Sequence, residues 1–215
     1  MNNWLVVALL AGATCFLSIV FVYCFLYSKY RERSLLAWSG AWLCHAVRNL
    51  IILINVLHGP SAFLTLVEQY LVVSTAFLLL LGATQLGSRP LGRAALIALA
   101  AVAAWIPVAV FADIPPPWFH IPTYFFFAAA QFACGRVLLR HLPGDGVGRR
   151  IAGWSLILWG AHHLDFPFLR PVAWFAPWGF LISAALGLLS AISVIMAYFE
   201  HLGARFTESE GRFRT

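Results

Sequence analysis

Long apolar runs, each broken by a short polar or turn-forming stretch, set the pattern of this chain. At a rise of about 1.5 Å per residue, about 20 residues cross about 30 Å of hydrocarbon. The pattern predicts seven spanning helices, over Trp4–Tyr27, Ser34–Leu57, Ala62–Leu86, Leu91–Phe111, Trp118–Leu139, Gly148–Phe166 and Pro177–Glu200. The expected fold is therefore all-α and polytopic.

The polar breaks are uneven in charge. Lys29, Arg31 and Arg33, then Arg89 and Arg93, then Arg140, Arg149 and Arg150, and finally Arg205, Arg212 and Arg214 fall on one side of the expected membrane, and Arg170 alone falls in a loop on the other. Basic residues gather in cytoplasmic loops, so the asymmetry predicts an outside N-terminus and a cytoplasmic C-terminus. The start of the chain has no basic residue before its first apolar run, and that run is of spanning length, unlike a secretory signal peptide. Of the outer loops, His58 to Ser61 reads as a tight Gly-Pro turn, whereas Asp165 to Trp178 is long and rich in aromatics that serve either as an interfacial belt or as a lid.

Composition sharpens the class. The content is 62% hydrophobic and 10% charged, far from that of a soluble domain. The +6 formal charge is spread over short loops rather than one face, so it points to membrane orientation and not to nucleic acid. Cys15, Cys24, Cys44 and Cys134 all lie within apolar segments, which predicts free thiols and no disulfide framework.

The candidate chemistry lies inside the apolar runs. Ionisable groups in lipid are costly without partners and mark functional sites by default. His45, Arg48 and Asn49 share one face of the second helix, and His162, His163 and Asp165 sit near the outer end of the sixth. Counted along their helices, His45 and His162 reach similar depth, Asp165 shares the face of His162, and His163 turns away by about 100°. Glu68 is the expected countercharge for Arg48. The bland reading of these residues is a structural ion pair and interhelical hydrogen bonds.

Three ligands suit such a site. A b-type haem would be held between His45 and His162, with Arg48 or Arg170 on its propionates. A transition metal would take His45, His162 and His163, with Asp165 or Cys44 completing the set. A lipophilic organic ligand would use the same groups as hydrogen-bond partners. Spacing does not choose among them. Covalent haem is excluded by the absence of CxxCH, and retinal by the absence of a late lysine, since Lys29 is the only one. No phosphate loop, nucleophile elbow or HExxH motif supports an enzyme. A small transporter or channel, with these residues along a proton or ion path, is the alternative function, although no internal repeat favours it.

The last span runs without a breaker from Pro177 to Glu200. Its Ser183, Gly187 and Ala191 recur every four residues, a spacing that allows close helix packing and predicts a homodimer through the seventh helix. Beyond it, His201 to Thr215 alternates charged and apolar residues, with Phe206 and Phe213 seven apart, which suits a cytoplasmic connector helix.

The terminal TESEGRFR, Thr207 to Arg214, resembles the opening helix of PAS domains that follow membrane segments in bacterial histidine kinases and diguanylate cyclases. LWGAHHLDFPFLRP, Leu158 to Pro171, with WFAPWGF after it, resembles a feature of the multi-helix membrane input regions of such proteins. The resemblance implies a sensor domain over residues 1–200 in a bacterial inner membrane, joined by 201–215 to a PAS-like signalling domain in cis. It carries no catalytic residue to this chain. The site expected on all these grounds is His45, Arg48, Glu68, His162, His163, Asp165 and Arg170.

Overall fold

The computed structural model describes the backbone of residues 3–142 and 146–213, with side chains as far as Ala204. Among the described residues seven helices form: α1 (Asn3–Tyr30), α2 (Arg33–His58), α3 (Ala62–Leu86), α4 (Arg93–Phe111), α5 (Ile121–His141), α6 (Val147–Leu169) and α7 (Ala176–Phe213). Five of them, α1 to α4 and α7 as far as Ala204, are long and apolar enough to cross a membrane. Although 21 and 23 residues long, α5 and α6 lie outside that group, their apolar stretches being broken by Thr123, Gln131 and Arg136 in α5 and by Arg149, Arg150, His162, His163 and Asp165 in α6.

Sequence neighbours pack side by side, but the bundle closes without α4. The packing order α1, α2, α3, α5, α6, α7 and back to α1 forms a ring, and α4 lies against the outside of α3 and α5. Only Ile106 and Ala109 of α4 are buried, which explains how this helix can be almost purely apolar on every face. At one end of the ring the basic connections converge: Arg89 Nη2 lies 3.2 Å from His141 Nδ1, and Glu200 of α7 accepts the backbone N–H of Gly148 at the start of α6 (2.9 Å). The tight turn after α2 is present, with Gly59 at φ 92°, a conformation that only glycine adopts without strain. The four cysteines are free.

One expectation is corrected here. Asp165, Phe166 and Phe168 are not loop residues, because α6 continues through Pro167 to Leu169. Proline that close to a helix end removes one N–H bond and leaves little helix to break. The connection to α7 is thus confined to residues 170–175. The small-residue face of α7 is also used within the chain. A Cβ on Gly187 would stand 2.6 Å from Phe16 and 3.3 Å from Trp159, Ser183 Oγ accepts the Trp159 indole N–H (3.0 Å), and the Ala191 carbonyl accepts the Tyr23 hydroxyl (2.9 Å). The close approach allowed by this spacing is to α1 and α6. In the connector, α7 is helical through Phe213, while Phe206, Phe213 and the arginines at 205, 212 and 214 lie beyond the described side chains.

Candidate functional site

Two stacked polar layers occupy the interior towards the Arg170 end. The first is ionic. Arg170 Nη1 donates to Glu68 Oε1 (2.6 Å) and its Nη2 donates to Glu68 Oε2 (3.2 Å), a two-pronged contact that joins the α6–α7 connection to α3. Glu68 is 2% exposed, and the Arg170 side chain retains 22%. Burial opposes the charge on Arg170, but the Glu68 carboxylate outweighs it and raises the guanidinium pKa, so Arg170 stays charged.

Arg48 is not the direct partner of Glu68, contrary to expectation. Its Nη2 donates to the Tyr124 hydroxyl (2.6 Å), and its guanidinium lies 5.2 Å from the Phe166 ring, 5.6 Å from Tyr124 and 6.0 Å from Phe180. Cation–π contact of this kind compensates a desolvated arginine only in part. Arg48 Nε has no hydrogen-bond partner. Two guanidinium groups therefore lie near one carboxylate, with Arg170 in direct contact and partly open to solvent and Arg48 fully buried behind it. Beside them, Gln69 Nε2 lies 3.3 Å from His120 Nδ1.

The second layer is aromatic. His45 faces His163, their ring centres 6.5 Å apart, and not His162 as depth counting suggested. Trp42 stacks on Trp159 at 5.5 Å, with Phe16 on Trp42 at 5.8 Å, and Phe127 closes on His163 at 4.2 Å. His163 Nδ1–H donates to the Trp159 carbonyl (2.9 Å), which leaves Nε2 as the nitrogen with a free lone pair. His45 Nδ1 is buried and has no partner.

His162 belongs to neither layer. Its Nε2–H donates to the Gly179 carbonyl at the start of α7 (3.0 Å), and its Nδ1 lies 3.3 Å from Asp165 Oδ2, a contact that needs a proton on one of the two. His162 thus ties the outer end of α6 to α7. A cavity of about 10 Å³, room for about one water, lies between this tie and Arg170, roofed by Phe175 and Ala176. Of the aromatics assigned to a belt or lid, Trp174 and Trp178 are exposed, whereas Phe166 is buried beneath Arg48.

These distances bear on the ligand candidates. His45 and His163 form a facing pair, but no group of three His, Cys, Asp or Glu able to hold a metal occurs among the described residues. Cys44 and Asp165 do not complete the pair. The space beside the pair is filled by Phe127 and Trp159, each within 6.0 Å of both rings, so a macrocycle would have to displace that packing.

The sequence signalled Arg48, Glu68 and Arg170 but not Tyr124, the partner of Arg48, nor the neighbouring Gln69–His120 pair. A phenol, an imidazole and an amide near one end of apolar stretches were the available signal, since each needs a hydrogen bond when buried. The chain matches no protein-family model, no curated protein and no solved structure.

Proposed function

We propose that this chain is the membrane-embedded input domain of a bacterial signalling protein, with seven spans, an outside N-terminus and a cytoplasmic connector. In this reading a lipophilic organic molecule acts on the Arg48–Glu68–Arg170 layer, and α7 carries the response inward. The mechanism is a shift between two helix arrangements, of which the ligand binds one better.

The observation that carries the proposal is the convergence of the buried polar groups on the start of α7. Arg170 and Glu68, His162 and Gly179, and Trp159 and Ser183 bond across the α6–α7 corner or immediately beneath it, and α7 then runs unbroken for 38 residues. A change in the ionic layer therefore acts on a rod that extends beyond the membrane. An organic ligand is favoured over haem or metal because the site offers an undercompensated arginine and unpartnered nitrogens rather than a converged ligand set.

Absorption spectra of detergent-purified protein, oxidised and reduced, with metal analysis after expression with haem and metals supplied, test the ligand class. A colourless, metal-free protein is expected. A Soret band lost on replacing His45 or His163 contradicts the organic ligand. Proteoliposome flux separates the transport alternative: the sensor reading expects none, and proton or ion flux abolished by His163→Ala would establish a carrier.

A further inference from the structure

At the opposite end from Arg170, the bundle holds a cavity of about 410 Å³, within the roughly 300–1,000 Å³ typical of small-molecule sites. Three parts of the chain enclose it: the α1–α2 junction, the end of α3, and α7 at Tyr198, His201 and Leu202. We propose that this cavity binds a phosphate ester, and that the ligand rests directly against α7.

The lining chemistry selects the ligand. Arg31, Arg33 and Ser34 of the α1–α2 junction line the cavity together with Gln85 and Ser88 at the end of α3, so guanidinium, amide and hydroxyl groups border one space, with Glu32 the one carboxylate among the lining residues and the Arg31 guanidinium 5.8 Å from the Tyr27 ring. Arginine forks match phosphate oxygens, and hydroxyl and amide donors complete such a site. The start of the 26-residue α2, whose N-cap residue is Glu32, borders the same space.

The backbone supplies an independent observation. Arg31 (φ 57°) and Ser88 (φ 51°) are two of the three non-glycine residues with positive φ among those described, and both line this cavity. Each follows the last residue or two of a helix, at a position where glycine costs least. Side chains are kept there despite the strain, and both residues border the same cavity.

Phosphate esters reach this end of the bundle either as lipid headgroups or as soluble metabolites. The experiment uses the full chain in phosphatidylcholine nanodiscs, with thermal unfolding read under two additions: phosphatidylglycerol in the disc, or glycerol phosphate in the buffer. Either addition should stabilise the protein, and which one acts identifies the source. Arg31→Gln with Arg33→Gln should weaken the apparent affinity by at least about tenfold. The charge-matched control Arg93→Gln with Arg140→Gln should leave it unchanged. Ser88→Gly provides a readout that a structural role alone would not give: it relieves the positive φ and raises basal stability while reducing the shift caused by the ester. No stabilisation by either addition, or equal loss in the control, overturns the proposal.

Discussion

Removing Arg170 should harm this protein more than removing the carboxylate it binds. In Arg170→Ala the Glu68 carboxylate is left 2% exposed, without its two hydrogen bonds and with only the more distant Arg48 as countercharge. Breaking a buried pair in this direction costs about 3–5 kcal/mol. In Glu68→Gln the amide oxygen still accepts one bond, and Arg170, with 22% of its side chain already in contact with solvent, turns further outward. That loss is nearer to an unsatisfied polar group, about 1–3 kcal/mol. At about 2–4 °C per kcal/mol for a chain of this size, the midpoints fall by roughly 12 °C and 6 °C. Arg48→Met completes the series. It removes the surplus positive charge, keeps the Arg170–Glu68 contact, and fills the space between Phe166 and Phe180 with an apolar chain, so its cost should be the smallest of the three. The assay is thermal unfolding of the three variants in one detergent, followed by tryptophan fluorescence. If Arg48→Met is the most damaging, Arg48 is the true partner of Glu68. If Glu68→Gln equals or exceeds Arg170→Ala, the asymmetry in burial does not govern the pair.

Other substitutions probe the packing and the ends of α7. Gly187→Leu drives a side chain into Phe16 and Trp159; it should lower stability by about 1–3 kcal/mol while leaving the oligomeric state, read by light scattering in detergent, unchanged. Trp159→Phe loses the indole bond to Ser183 and should cost about 1 kcal/mol by thermal unfolding. Glu200 accepts the backbone N–H groups of Gly148 (2.9 Å) and Arg149 (3.2 Å), so Glu200→Gln should speed hydrogen exchange over residues 148–152 by about tenfold, and unchanged exchange would show that α7 does not hold the start of α6.

The helices are legible because each apolar run is bounded by charge or by Gly and Pro, and the observed ends lie within a few residues of the expected ones except at the end of α7, which runs on into the expected connector. The face shared by His45, Arg48 and Asn49 was legible too, since helical spacing alone determines it, and all three are buried. What lies across from a face is not written in spacing. Asp165 suggested that the His162 side of α6 looks into the bundle, yet that side meets the start of α7, and the neighbouring His163 turns inward to Phe127 and His45. Arg170 lies beyond α6 in sequence, and only the short α6–α7 corner brings it back over Glu68. The repeat of Ser183, Gly187 and Ala191 announced a close contact correctly, but small residues pack the same way within one chain as between two.

On the proposed mechanism, the buried ionic layer and the far end of α7 move together. Double electron–electron resonance in nanodiscs tests it directly, with spin labels at Ala204→Cys on α7 and Arg140→Cys at the end of α5 and the native cysteines replaced. Arg170→Gln should shift the distance distribution by about 2 Å, as expected for a helix displaced between two packed arrangements. Superimposable distributions for the unaltered and Arg170→Gln proteins, despite a lowered unfolding midpoint in the variant, would contradict the account and leave the layer a structural ion cluster.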